Sequence, residues 1–474
     1  MARPLLTYMS ETEREFVHEQ VLRVLAEVGV AYNTPKAIGL LAEAGARVDR
    51  ERLSARLTRE LIEPCLATVP ATVAMAGRIP ERDVLVGGER LVVTSDGMAT
   101  YMCDDLSGER RAGTSRDLAD VMRLCDALDE IDTLWPSPQA ADLDPFTAPL
   151  EMNAISLRSS TKHIQDEVRV AGMVEPMLEI YEAAAGAPLT RRPLFSVTNC
   201  TIAPLQHDAA MTEAGLKLCR RGVPIVVMPM PQCGTTGPVS VLGTCIVFLA
   251  ELLSAVVLFQ LASPGCAVIA GIGAAVAEMH GGLYVSGGPE IGLINLLCIE
   301  MSKRYGLLTQ ATGVSTDAKA CDHQAGAEGM MSGMAAVLAG ADSLVAAGTL
   351  DGVQNHSLAK TVLDADTVGM LRRFCREEPI DAAKALMDDI VEVGIGGHYL
   401  GRKSTRRLLR SGELWQPAVF QRGPFEEYRT RSLVRDAVER AQELLRTHQV
   451  PPLDDGVERH IAAAIAAYRR LHER

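Results

Sequence analysis

Aromatic residues are scarce in this chain. Phe, Trp and Tyr make up 4% of 474 residues, and only two are Trp. Positive charge is also short: 47 Lys and Arg face 60 Asp and Glu, for a net charge of −13. Nucleic acid and anionic membrane both demand a basic face, so neither is expected as a partner. The acidic balance suits a cationic small molecule, and it suits an ordinary soluble protein just as well. The N-terminus, MARPLLTYMSETEREF, has no apolar signal core, and a cytoplasmic location is expected. No CxxC occurs among the eleven scattered cysteines. Buried thiols in a reducing compartment follow, with no metal site assigned, although a zinc site built from distant ligands stays open.

Several catalytic signatures are missing too. No GxGxxG opens a helix after the first strand, and no GxSxG elbow is present. No His-x-His follows a first strand, as a metallohydrolase would want. One long apolar run exists, VSVLGTCIVFLAELLSAVVLFQLA at 239–262, and its length would suit a membrane span. Glu251 sits in its middle and Ser-Pro-Gly follows at once, so a buried helix is expected instead.

What is present is a rhythm. Apolar strand-like runs recur at 131–139, 161–168, 194–200, 224–234, 266–273, 306–314 and 342–350. Each leads into Gly, Pro or Asn and then a helical stretch. That alternation means parallel pairing with active residues in the loops after the strands. An eighth run would close a (β/α)8 TIM barrel, and LYVSG at 283–287 is the candidate. The rival is an open doubly wound sheet. The expected organisation is an N-terminal region of helices and short strands over 1–125, a barrel over 126–374 and a helical region over 375–474.

The loops after these runs are rich in amides and hydroxyls. They carry Asn199, Gln232, Tyr284, Glu290, Asp317, Lys319, His356 and Ser357. Hydrolysis by an acid/base pair needs two carboxylates across one bond, and nothing in the sequence brings Glu290 and Asp317 together. The set reads as a pocket for a polar or charged small molecule. Each residue also has a plainer reading. Glu290 at a helix start complements the helix dipole, Asp317 caps a helix, and Asn199 closes an Asx turn. Tyr101, Trp135 and Tyr284 fit core or lid packing as well as a cation cage.

Several ordered stretches carry a resemblance. They are DLSGERRAGTSRDLAD at 105–120, APLQHDAAMTEAGLKLCRRGVPIVVMPMPQCGTTGPVS at 203–240, STDAKACDHQAGAEG with AAVLAGADSLVAAGTLD, GGHYL at 396–400 and HQVPPLDD at 448–455. Together they resemble the trimethylamine methyltransferase superfamily nearly end to end. The resemblance implies a (β/α)8 barrel that moves a methyl group from a methylamine or quaternary amine to the Co(I) of a corrinoid. The corrinoid rides on a separate small protein, so no tightly bound cofactor of the chain's own is expected. The trimethylamine enzymes place pyrrolysine in the loop after the last strand, and here that position is Ser357, beside His356. A quaternary amine needs no pyrrolysine to become a methyl donor, and members without it resemble glycine betaine methyltransferase. A betaine-like donor is therefore expected.

On that scheme Tyr101 and Tyr284 face the ammonium and Glu290 adds electrostatic attraction. His356, with Asn199 and Gln232, takes the polar end of the donor, while Asp317 and Lys319 shape the mouth. His356 and Glu290 are the expected catalytic pair, and a homo-oligomer is expected. The alternatives are a demethylase of a tertiary amine or sulfonium, and a non-catalytic barrel that binds a ligand or a corrinoid protein.

Overall fold

The computed structural model describes residues 5–472. Eight parallel strands form its centre: β1 (Val92–Ser95), β2 (Thr133–Leu134), β3 (His163–Glu167), β4 (Phe195–Ile202), β5 (Ile225–Met228), β6 (Val268–Ile272), β7 (Leu308–Thr312) and β8 (Ser343–Ala347). Each pairs with its neighbours in chain order, and β8 pairs back onto β1, so the sheet closes without an edge. The seven strand-like runs read from sequence all carry barrel strands. The eighth does not come from 283–287. It is β1, upstream of the boundary drawn at 126, while Tyr284–Val285 forms a small sheet outside the ring. It lies in DVLVGGERLVVTSDG, a β-like run that reads as one of the short strands of the N-terminal region, and nothing local shows that it joins the ring.

A helix follows each strand: α1 (Ser115–Ala127), α2 (Ala148–Ser159), α3 (Val174–Ala185), α4 (Ala209–Arg220), α5 (Val241–Ala262), α6 (Pro289–Arg304), α7 (His323–Leu338) and α8 (Leu358–Cys375). Their starts follow local chemistry. Thr114 and Asp117 form a capping box on α1, and Asp208, Ser240, Asp322 and Ser357 each cap the next helix with a side-chain oxygen. At the other end of α1, the buried Lys162 donates to the carbonyls of Cys125, Leu128 and Ile131 at 2.6–2.7 Å. One ammonium thereby ties the end of α1 and the approach to β2 onto β3.

Inside the ring, alternate residues stack in layers. The hairpin Val73–Met75 with Val84–Val86 plugs the N-terminal end against Val92, Val226, Ile269 and Leu308. Above it lies a polar layer. Gln165 and Gln310 bond to each other, to Thr198 and to Thr94, which in turn bonds Thr133. The third layer, at the C-terminal ends of the strands, forms the site described below. Leu433–Thr447 packs on α8 and α1, and Asp455–His472 packs on α3 and α2.

The long apolar run is α5, and it lies buried against the barrel and the N-terminal helices. Glu251 is fully buried there. It accepts the Thr201 hydroxyl and, at 2.8 Å, the Leu205 N–H, fixing the turn that leaves β4. Glu251→Leu suits the apolar surroundings but strands both donors. It is expected to destabilise the protein by about 1–3 kcal/mol in chemical denaturation, with Glu251→Gln costing less. Equal stability of the two variants would show that the carboxylate is not holding this turn.

Candidate functional site

The uppermost inward layer surrounds a small, partly open cavity of about 30 Å3, whose side chains must move apart to admit anything larger than a water molecule. Its lining follows the two-residue alternation of the strands. Asp96 comes from just beyond β1, Trp135 from β2, Cys200 from β4, Met228 and Met230 from β5, Gly273 from β6, Thr312 from β7 and Val345 with Ala346 from β8. Met98, Tyr284, Ser286 and Val353 close it from the loops.

Trp135 is set by three contacts. Its backbone N–H donates to the Ser95 hydroxyl at 2.9 Å, its ring N–H to Asp166 at 3.2 Å, and Gly97 lies flat against its face. A Cβ on Gly97 would fall 2.0 Å from the indole, so only glycine fits. Asp166 is held in turn by Asn153 at 2.6 Å.

Tyr284 is placed by its neighbours' loops. Its hydroxyl donates to the Gly273 carbonyl at 3.1 Å. Asp317 accepts the N–H groups of Ser286 and Gly287, both at 2.9 Å. Glu328, on α7, accepts the Asp317 N–H at 2.8 Å and the Thr316 hydroxyl at 2.6 Å. The strand-end motif STDAKACDHQAGAE therefore acts as a bracket for the Tyr284 loop. Gly352 and Asp351 extend it by bonding to the Thr316 and Ala318 carbonyls. The backbone after β8 is strained where it meets the cavity: Ala346 and Val353 have φ of 97° and 69°.

Asp96 is the carboxylate of this lining. It is 4% exposed, and one of its oxygens accepts the Met98 N–H at 2.7 Å. Burial pushes its carboxyl up to about 7; the Met98 N–H opposes the shift and the charge on Glu167 adds to it. The same burial, together with the nearby Asp96, raises the Tyr284 hydroxyl. Glu167 pairs with Arg169 at 2.5 Å and receives the Cys200 thiol at 3.3 Å.

Of the residues assigned to the site from sequence, Tyr284 lines the cavity, and so does Trp135, which the sequence fits to packing as well as to a cation cage. Asp317 stands behind Tyr284 as a loop bracket. The others are engaged elsewhere. His356 is fully buried, with its ring nitrogens 3.1 Å from the Ser137 and Thr361 hydroxyls, and burial, then Lys360, holds it down to about 3. It does not line the cavity. Ser357 caps α8 and donates to Asp105. Asn199 donates to the Met211 carbonyl at 2.8 Å and fixes β4 to α4. Gln232 lies in a small strand beside Ala275, and Glu290 sits in the first turn of α6. Tyr101 carries the Arg110 guanidinium 4.3 Å from its ring centre, so that face already holds a cation. Sequence reasoning missed Asp96, Met98, Met228 and Met230. The signal was the alternation itself: Val92, Thr94 and Asp96 are successive inward positions of one strand.

A family profile described as trimethylamine methyltransferase matches residues 2–473. The trimethylamine methyltransferase of Desulfitobacterium hafniense (strain DSM 10664 / DCB-2) is 28% identical over 86% of this chain and 82% of that protein. The glycine betaine methyltransferase of Desulfitobacterium hafniense (strain Y51) is 28% identical over 98% of this chain and 97% of that protein. Among solved structures, the Methanosarcina barkeri monomethylamine methyltransferase superposes with a TM-score of 0.54 at 12% identity, covering 99% of this chain and 89% of that one. That last likeness concerns the fold alone.

Two outcomes test the geometry without any substrate. Gly97→Ala is expected to displace Trp135 and to shift the tryptophan emission of the protein, with secondary structure unchanged by circular dichroism; an unaltered spectrum would mean that the contact yields without moving the ring. Asp96 has a folded-state pKa above its unfolded value, so the folded state loses stability as pH rises from about 4 to about 7. Asp96→Asn is therefore expected to raise Tm by roughly 2–5 °C at pH 8 and by little at pH 4. A lower Tm at pH 8 would show that the carboxylate is internally paired.

Proposed function

The chain belongs to the trimethylamine methyltransferase family, and from that premise we propose that it moves a methyl group from a small quaternary ammonium to the Co(I) of a corrinoid carried by a separate protein. The observation that carries this reading is the cavity: two aromatic rings, three methionines and a carboxylate enclosed at the C-terminal end of a barrel. That is where barrel enzymes keep their chemistry, and π faces with soft thioethers suit a methylated cation.

The corrinoid acceptor is a second substrate, and it supplies the electron pair for the new carbon–metal bond. The chain's own residues do the rest. Trp135 and Tyr284 form walls against which a tetrahedral ammonium rests. Met98, Met228, Met230 and Val353 exclude water from it. The departing nitrogen keeps the pair of the broken C–N bond and leaves as a neutral amine, so no side chain has to move a proton. The work is orientation of one methyl group toward the mouth. Access for a protein-borne ring is supported by the exposed Leu106, Val239, Met279 and Leu283 on the loops after β1, β5 and β6.

Ser357 stands where the resemblance places pyrrolysine. As a buried helix cap it has no means of activating a tertiary amine, which favours a donor that is already quaternary. Glycine betaine belongs to that class and appears in the name of one relative. Whether an acid-bearing donor suits this cavity turns on Asp96.

The test is methylation of reduced cobalamin, or of a cognate corrinoid protein, by choline, glycine betaine, carnitine and trimethylamine, followed by absorbance. Transfer from a quaternary donor and none from trimethylamine is expected. Trp135→Ala and Tyr284→Ala should each lower kcat/KM by about 10-fold or more. Transfer from trimethylamine alone, or no transfer with the cognate protein, would overturn the reading.

A further inference from the structure

We propose that Asp96 is the counter-ion of the donor cation, and that it restricts the cavity to methylated cations bearing no acid group beside the methylated nitrogen. The inference rests on the methyltransferase reading for its reaction, but charge selection is a property of the cavity and is measurable without transfer.

The evidence is an unbalanced charge. Asp96 is 4% exposed and lines the cavity. Its Oδ1 takes the Met98 N–H, and no described residue bonds its Oδ2. Among the described residues no Lys or Arg lines the cavity. The charged neighbour acting on it is Glu167, of the same sign, which is already paired with Arg169. A buried carboxylate without a cation is costly unless a ligand brings one.

A betaine brings its cation with a carboxylate one methylene away. That second negative charge would lie beside Asp96 in a cavity that offers it no positive group. The basic side chains near the mouth are committed. Arg110 covers Tyr101 and reaches Asp351 at 3.5 Å, Lys319 pairs with Asp351, and Arg169 is held by Glu167. Like charges at contact distance in a largely buried pocket oppose binding. A quaternary ammonium with an alkyl, hydroxyalkyl or ester substituent meets Asp96 without that opposition.

The decisive pair of donors is glycine betaine and its methyl ester, which differ by the acid charge and share the trimethylammonium head. Binding to the full-length protein is measured by calorimetry at pH 8 without acceptor, and methyl transfer is measured separately with reduced cobalamin. The ester is expected to bind on the order of 100-fold more tightly than the acid. Asp96→Asn, which keeps the Oδ1 bond to Met98, is expected to weaken the ester at least about 30-fold and to narrow the gap. Glycine betaine binding as tightly as its ester overturns the proposal, and so does an unchanged ratio in the variant. The wild-type ratio needs no variant, so a poorly folded Asp96→Asn does not protect the idea. Preference in binding with no transfer upholds charge selection and sinks the methyltransferase reading. Transfer without preference does the reverse. No binding of either donor at millimolar concentration sinks both.

Discussion

A buried carboxylate held in the barrel mouth without a cationic partner is the constraint around which the site is arranged. The closed parallel ring has no edge, so its interior is reached from its ends. The hairpin at 73–86 plugs one end, and a glutamine–threonine layer fills the middle. What remains is one shallow chamber at the C-terminal end, and β1 delivers Asp96 into it. An unpaired buried charge is tolerated only where the surrounding structure over-determines it. Here the backbone of Asp96 is bonded to β8, its Oδ1 to Met98, and its neighbour Gly97 is pressed onto Trp135. The structure therefore keeps Asp96 in place at a cost to its own stability, which is the usual sign of a binding group.

The rest of the chamber is held by residues that never touch it. Asp317 and Glu328 grip the loop that carries Tyr284, and Asp166 with Asn153 orients Trp135. This explains why a polar motif such as STDAKACDHQAGAE sits after β7 although almost none of its side chains reach the cavity. Its carboxylates accept backbone N–H groups, so they fix loop shape rather than bind a ligand. The strained Ala346 and Val353 sit at the same junction, where β8 leaves the barrel.

Fold and site differed in how far the sequence revealed them. Seven of the eight barrel strands are legible because each leads into a Gly, Pro or Asn turn and then a helix; that rhythm carries even a polar strand such as His163–Glu167. The eighth, Val92–Ser95, is legible as a strand but not as a barrel strand, because no helix follows it closely and its run reads as a hairpin arm of the N-terminal region. The site suffered from a related ambiguity. Polar loop residues read from sequence as a binding set, whereas the fold satisfies His356, Asn199 and Ser357 with local hydrogen bonds. Local bonding of this kind depends on which hydroxyls and carbonyls the fold brings close, and one sequence does not show that. Asp96 was hidden for the opposite reason: its importance comes from having no partner, which only burial reveals. Tyr284 was legible because an aromatic at a strand-following loop has few other uses in a chain so poor in rings.

The same balance bears on mechanism. A quaternary nitrogen enters with a full positive charge and leaves with none, so any group that grips the cation tightly resists the step that discharges it. A ring of carboxylates would trap the donor. A chamber of rings and thioethers alone would barely attract it from water. One carboxylate whose own ionisation is marginal near neutral pH lies between these limits: it offers enough attraction to fill the site, while polarisable walls carry part of the load and lose little when the charge disappears. On this view the lack of a cationic partner for Asp96 and its raised pKa are not incidental to each other. Both follow from placing a single anion where no cation of the protein can reach, which is the arrangement that lets an incoming cation supply the missing charge and then give it up.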